Sequence, residues 1–347
     1  MADIRVALVG GGMHAPAHIR GAAGAPGVRL SAIVDPSPAA RTVAENAGVP
    51  WLADHQALLA GDRPDAAIVA TPNVLHVPVA LDFIAAGIPV LVEKPIADTV
   101  ADARRLSDAA QAAGVPLLVG HHRRHNPIVR RARQLIRDGA LGRLVSATVL
   151  ATFLKPDAYF NVAWRRQPGG GPVLINLIHE IDLLRFLYGE VTSVQAITAN
   201  TVRGYAVEDT AAILLHFANG ALGTITLSDA AAAPWTWDLA SGENPAFFKP
   251  DGVETHFFCG TEGSLTLPKL NHWRYPGARG WNETITASPE AIEAANPYVE
   301  QLRHFAAVIR GHEEPVISGH DGTRTLEATQ AVLTAATTRQ PVVLSSG

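Results

Sequence analysis

Four short stretches of this 347-residue chain carry residue types whose spacing permits chemistry. The first is Gly10-Gly11-Gly12-Met13-His14-Ala15, a G-x-G-x-x-A pattern between a strand-like run and a helix-like run. Glycines permit a tight turn and let bare backbone approach a pyrophosphate at a helix N-terminus. Gly10, Gly12, Met13 and His14 are therefore candidate cofactor contacts. Asp35 ends the next strand-like run, 25 residues after Gly10, where a carboxylate can accept hydrogen bonds from the adenosine ribose. A carboxylate there repels a 2′-phosphate, which favours NAD, while nearby Arg41 could attract one and keeps NADP open.

The second stretch is Ala70-Thr71-Pro72-Asn73 with His76, at the carboxyl end of a strand-like run. In open α/β sheets ligands bind beyond such strand ends, so Thr71, Asn73 and His76 join the cofactor set; Asn73 also reads as the N-cap of the following helix. The third, Glu93-Lys94-Pro95, ends another apolar run, so Glu93 and Lys94 also join the candidate cofactor contacts. An ammonium there could hydrogen-bond a substrate hydroxyl and stabilise a developing alkoxide; the alternative is a surface ion pair. The fourth is the helix-like segment after Gly169-Gly170-Gly171-Pro172, in which Asn176, His179 and Asp182 stand three apart on one face, with Asn176 and Asp182 as candidate substrate contacts. His179 alone among them has an ordinary pKa suited to proton transfer near neutrality. His179-Glu180-Ile181-Asp182 is not the H-E-x-x-H zinc pattern, and His121, His122 and His125 have no cysteine or evident carboxylate beside them, so no metal is expected. Tyr159, Trp235, Trp237 and Glu243 lie in loop-like segments and are candidate substrate contacts, since aromatic faces pack on sugar C–H surfaces and a carboxylate accepts from hydroxyls.

The elements that must position these groups follow from hydrophobic periodicity. Short, almost continuously apolar runs at 4–9, 28–35, 66–70, 89–93 and 117–120 alternate with helical patterns, clearest at 74–86 and 101–113. That alternation predicts an α/β Rossmann domain, a doubly wound parallel sheet, over residues 1–121. Beyond it, 121–139 reads as one helix whose arginines form a solvated basic face. Strand patterns at 144–153, 191–199, 210–217 and 221–228, the last two joined by Asn219-Gly220, predict a large, mostly antiparallel open sheet in an α+β domain over 122–347. Helices are expected near 173–187, 298–310 and 323–338, and a late helix could pack back on the first domain. Residues 230–282 read as long loops with one strand pair near 255–267.

Composition bounds the rest. Apolar residues make up 48% and charged residues 17%, as in globular proteins. A net charge of −4 removes the broad positive field that nucleic-acid binding needs. No run approaches the ~20 apolar residues of a membrane span, and no secretory segment is evident, so the expectation is a cytoplasmic protein with neither nucleic-acid nor membrane partners. Cys259 is the only cysteine, which excludes an intrachain disulfide. An open sheet face needs cover, and a homo-oligomer, dimer or tetramer, is the expected solution.

Taken together, Gly10 to Ala15, Ala70 to Asn73, Glu93-Lys94-Pro95, Gly120 to Arg124, Trp164-Arg165 and His179 to Asp182 resemble the family of glucose-fructose oxidoreductases, inositol dehydrogenases and MocA-type proteins, in that family's order. The resemblance implies NAD(P)-dependent hydride transfer at a secondary hydroxyl of a sugar, cyclitol or related polyol. It implies Lys94 as the hydroxyl-orienting catalytic lysine, His179 as the catalytic base, Arg123 and Trp164 near the nicotinamide, and Arg165 among the cofactor contacts. The chain departs from the family where the usual catalytic Asp stands four residues before the His: Ile175 is there, with Asn176 beside it. Asn176 can hydrogen-bond but cannot accept a proton. Two other classes stay open at this level, a lyase or glycoside-cleaving enzyme that oxidises its substrate transiently on tightly bound NAD, and a non-catalytic nucleotide-binding module.

Overall fold

The computed structural model describes residues 2–345, which fall into two compact units. Unit 1 takes the chain up to Asn126 together with Ala295–Leu326, and unit 2 takes Pro127–Ala294 and the chain from Glu327 on. The first boundary lies at Asn126 instead of 121 because a 3-10 turn, His122–His125, packs on the helix Pro297–Ile309 inside unit 1.

Unit 1 holds six strands, β1 (Ile4–Val9), β2 (Val28–Val34), β3 (Trp51–Leu52), β4 (Ala66–Val69), β5 (Val90–Val92) and β6 (Leu117–Val119). They are parallel, in the order β3-β2-β1-β4-β5-β6. Period-2 alternation explains why the strands read as unbroken apolar runs. Ala7 and Val9 face one apolar layer with Phe83 and Leu106, from α4 (His76–Ala85) and α5 (Val100–Ala113), while Val6 and Leu8 face the other with Ala22, Leu302 and Phe305. Each such buried Val, Leu or Phe contributes roughly 1.5–3 kcal/mol. The second layer is closed by α1 (Ala15–Gly24) against the helix Pro297–Ile309, where Gly24 permits the close approach: a Cβ there would sit 2.7 Å from Val299 Cγ2. Strand order reverses between β1 and β4, so the chain leaves the sheet in opposite directions there and opens the crevice in which such sheets bind nucleotides.

Three sequence expectations are corrected here. The segment 121–139 is not one helix: Pro127 lacks the N–H to continue it and holds Asn126 extended, so α6 runs only over Pro127–Arg137. Nor are its arginines uniformly solvated, since Arg123 and Arg124 are buried and Arg124 Nη1 lies 2.6 Å from Asp321 Oδ2. Asn73 does not cap α4 either; a 3-10 turn, Asn73–Leu75, intervenes.

Unit 2 is built on a ten-stranded sheet: β7 (Leu144–Leu154), β8 (Val191–Ala199), β9 (Thr210–Phe217), β10 (Leu222–Ser228), β11 (Ala230–Trp235), β12 (His256–Gly260), β13 (Gly263–Leu267), β14 (Asn271–Arg274), β15 (Thr286–Pro289) and β16 (Val342–Val343). The order is β15-β14-β13-β12-β7-β10-β9-β8-β16, with β11 also on β7. Pairing is antiparallel except between β10 and β7. The Asn219-Gly220 turn joins β9 to β10, with Asn219 Oδ1 accepting from Ala221 N at 2.9 Å. The 230–282 region contains more strand than the sequence indicates, because β11 and β14 are only six and four residues long and their composition hides a period of two. One face of the sheet packs on α6 and α7 (Ile178–Tyr188), through residues such as Ile213, Leu215 and Ile225 against Leu135, Ile181 and Leu184. On the other face Ile197, Leu214 and Leu222 are exposed.

Candidate active site

In unit 1 the residues after β1 and β4 build a dinucleotide turn. Gly10 has φ +115°, and a Cβ there would overlap the Ala70 carbonyl, so only glycine lets the two strand ends meet. At Gly12 a Cβ would meet nothing within 4 Å, which leaves open space over the N-terminus of α1. Asp35 Oδ2 accepts from Gly11 N at 2.8 Å and its Oδ1 from Ser37 N at 2.8 Å. Burial pushes this carboxyl up, but those N–H groups hold it below the usual carboxylate range. The buried Thr71 hydroxyl has no hydrogen-bond partner among the described residues. Open backbone, an ionised acid and an orphaned hydroxyl fit the pyrophosphate and ribose of a dinucleotide. Met13 and Asn73 are exposed at the same strand ends. His76 is not available in this way: it is buried, with Nδ1 2.8 Å from Pro95 O and Nε2 2.9 Å from Thr71 O, and so ties the two strand ends together.

Lys94 follows β5 and is half-buried. Its backbone N–H donates to Glu93 Oε2 at 3.1 Å, and Glu93 Oε1 lies 2.8 Å from His18 Nε2, with both side chains buried. Burial alone would raise the Glu93 carboxyl, yet His18, His14 and Lys94 hold it well below the ordinary range. Glu93 is therefore an anchor beneath Lys94 and not an exposed cofactor contact. His14 is raised by Glu93, but burial together with Lys94, His18 and His122 outweighs that and lowers it. His122 stacks on Tyr298 with ring centroids 4.6 Å apart, and His125 lies 5.2 Å from the His304 ring. Among the described residues no group of three His, Cys, Asp or Glu side chains is arranged to hold a metal ion.

In unit 2 the helix after the glycine run opens with a π turn, Val173–Leu177, before α7. Its first N–H groups meet an acid: Val173 N donates to Glu208 Oε1 at 3.1 Å, a favourable charge at a helix N-terminus. Ile175 and Asn176 lie in the wide turn, and His179, 9% exposed, lies in the first turn of α7. The even three-residue spacing expected from a regular helix is thus interrupted at Asn176. Asp182 is fully buried in α7, which takes it off any open face.

The sequence reading missed what Asn176 bonds. Lys155, directly after β7, places Nζ 2.7 Å from Asn176 Oδ1 and 3.1 Å from Asp229 Oδ2. Lys155, Asp229 and Arg203 are all largely buried, Arg203 donating to the Asp229 carbonyl and carboxylate. The Lys155 ammonium lies 4.8 Å from the Tyr159 ring, and the Arg165 guanidinium lies 3.9 Å from the same ring. Tyr159, Arg165 and Asn176 are thereby brought together, with Trp164 exposed beside Arg165. Trp237 is not an exposed contact: it is fully buried, edge-on to His256, and donates to Glu243 Oε2 at 3.2 Å. Trp235 is exposed on β11.

Residues 4–121 match the oxidoreductase family with an NAD-binding Rossmann fold, and residues 129–266 match the GFO/IDH/MocA C-terminal domain. The chain is 32% identical to 1,5-anhydro-D-fructose reductase of Ensifer adhaerens over 83% of each chain. It is 25% identical to scyllo-inositol 2-dehydrogenase (NAD(+)) of Bacillus subtilis, over 92% of this chain and 90% of that one. Among solved structures, the WlbA dehydrogenase of Bordetella pertussis, in complex with NADH and UDP-GlcNAcA, superposes with a TM-score of 0.78 at 27% identity, covering 99% of this chain and 100% of that one. The dinucleotide turn, the six-stranded parallel sheet and these matches agree, and the chain belongs to the GFO/IDH/MocA family of NAD-binding oxidoreductases.

Proposed function

We propose that this NAD(P)-dependent oxidoreductase moves a hydride between its cofactor and a secondary hydroxyl on a ring carbon of a sugar, cyclitol or related polyol, with Lys94 and His179 as its catalytic residues. Bound NAD supplies the hydride acceptor. The Lys94 ammonium donates to the reacting hydroxyl and stabilises the alkoxide as it forms, and the His179 imidazole takes the hydroxyl proton. Gly10, Gly12, Asp35 and Thr71 hold the dinucleotide, with Met13, His14, Asn73, Arg123, Trp164 and Arg165 as further contacts. Tyr159, Asn176 and Trp235 are the substrate-side candidates.

The observation that carries the reading is the anchoring of Lys94. The main chain of a lysine at a strand end beside the nucleotide turn is held, through its backbone N–H, by a carboxylate that is itself locked by a buried histidine, which fixes the point from which the side chain extends. Such support is what a positioned catalytic group requires. The test is a panel of aldoses, anhydrosugars and inositols with NAD and with NADP, followed at 340 nm. Cofactor reduction by at least one panel member supports the reading, and its absence across the panel, in both directions, overturns it.

The same reading includes a cytoplasmic homo-oligomer closed over the exposed apolar residues of the unit 2 sheet, Ile197, Leu214 and Leu222. No described helix is long and apolar enough to cross a membrane.

A further inference from the structure

The Lys155 cluster carries more than packing. It holds two cations, Lys155 and Arg203, around one carboxylate, Asp229, in a buried setting. Burial lowers the Lys155 pKa and Arg203 adds to this, with Asp229 opposing. A buried charge of this kind is costly unless its hydrogen bonds are well placed, and replacing it by apolar groups is often neutral or stabilising. Its partner Asn176 stands beside the position where the family's carboxylate is expected and Ile175 is found.

The orientation of Asn176 follows from donor and acceptor counting. An ammonium only donates, so the group 2.7 Å from Lys155 Nζ must be the Asn176 carbonyl oxygen. With that oxygen committed, the amide cannot flip without placing N–H against N–H. The Asn176 NH2 bonds to no described residue, and it is not among the buried polar atoms without a partner, so it reaches solvent from a half-buried side chain. Asn176 is therefore presented as a fixed donor.

We propose that Lys155, braced by Asp229, is a positioning residue that holds the Asn176 amide with its NH2 toward the substrate, where it donates to an oxygen lone pair of the polyol or of its carbonyl product. This rests on the dehydrogenase reading above. In this role Lys155 acts through Asn176 and not on the substrate itself.

The test uses the full chain with the best substrate of the polyol panel, and NADH binding by fluorescence as the control. N176D is the discriminating variant. It keeps an oxygen toward Lys155, and adds an ion pair, but exchanges the outward NH2 for a second oxygen. The expected result is a KM raised about tenfold or more, with thermal stability and NADH affinity at wild-type level. N176A is expected to raise KM similarly. K155M should do so as well, K155R should recover part of the loss, and K155M/N176A should be no worse than N176A alone. If K155M does not fold, the N176D and N176A results decide the matter. Wild-type KM in N176D, or additive losses in the double variant, overturns the proposal while the dehydrogenase reading stands. Failure of the wild type to turn over any panel member overturns both.

Discussion

His18 Nε2 and Glu93 Oε1 lie 2.8 Å apart with both side chains buried, and the second Glu93 oxygen accepts from the backbone N–H of Lys94. One carboxylate thus joins α1 to the strand end that bears the proposed catalytic lysine. Its pKa is depressed, so its stabilising contribution is present above the ordinary carboxylate range and is lost as pH falls toward the folded-state value. Glu93→Gln should cost roughly 1–3 kcal/mol at neutral pH, since it replaces a charge-assisted bond by a neutral one. Melting curves from pH 7 downward should show wild type losing stability more steeply than the variant below about pH 4.3. Parallel curves would mean that Glu93 contributes no such linkage.

The two outer glycines of the turn separate folding from cofactor binding. Gly10→Ala forces a side chain into left-handed backbone and against the Ala70 carbonyl, and should lower the melting temperature as well as abolish NAD binding. Gly12→Ala meets nothing in the protein, so its melting temperature should match wild type. Its methyl group instead enters the space assigned to the pyrophosphate, and NADH affinity should fall at least tenfold by fluorescence titration. Unchanged affinity in Gly12→Ala would remove the pyrophosphate from that position.

Asp35 sets the cofactor preference by charge. Its carboxylate is ionised at neutral pH and bonded to the glycine turn, and Arg41, the nearby cation in sequence, is already paired with Glu45 at 3.1 Å. A 2′-phosphate beside Asp35 would be repelled by about 1 kcal/mol or more at a few ångströms. Asp35→Ser should therefore shift the ratio of kcat/KM for NAD over NADP toward NADP by about tenfold. A ratio that does not move would assign cofactor choice elsewhere.

The parts of the fold that the sequence made legible are those in which local pattern and tertiary role coincide. The strand, glycine turn, helix and acid of the first hundred residues each follow from periodicity or backbone demand, and Asn219-Gly220 marks its hairpin for the same reason. Side-chain networks leave no such trace. Lys155, Arg203 and Asp229 come from separate elements, and nothing in their spacing signals that they meet. The π turn at Val173–Leu177 is equally silent, because a wider turn changes which residues share a face without changing which are apolar. Trp237 offers itself in the sequence as a ligand contact but is buried, because an aromatic residue in an aperiodic segment looks the same whether it covers a core or faces a ligand.

Lys94 and His179 carry the proposed chemistry in different roles, and their variants should differ accordingly. Lys94→Ala removes the donor that stabilises the alkoxide, and His179→Ala removes the proton acceptor; each should reduce kcat by ~100-fold or more. NADH affinity should change little, because the turn at Gly10 to Gly12 and Asp35 remains intact in both. If the two residues act on one hydroxyl, the double variant should be little worse than the poorer single variant, as for groups that work as a unit. The pH profile adds an independent reading. In Lys94→Ala the limb of the kcat/KM profile that reports deprotonation of a basic group should persist, since His179 still takes the proton, whereas in His179→Ala that limb should vanish. A limb that survives in His179→Ala would assign the proton to another group and leave His179 a structural residue of α7.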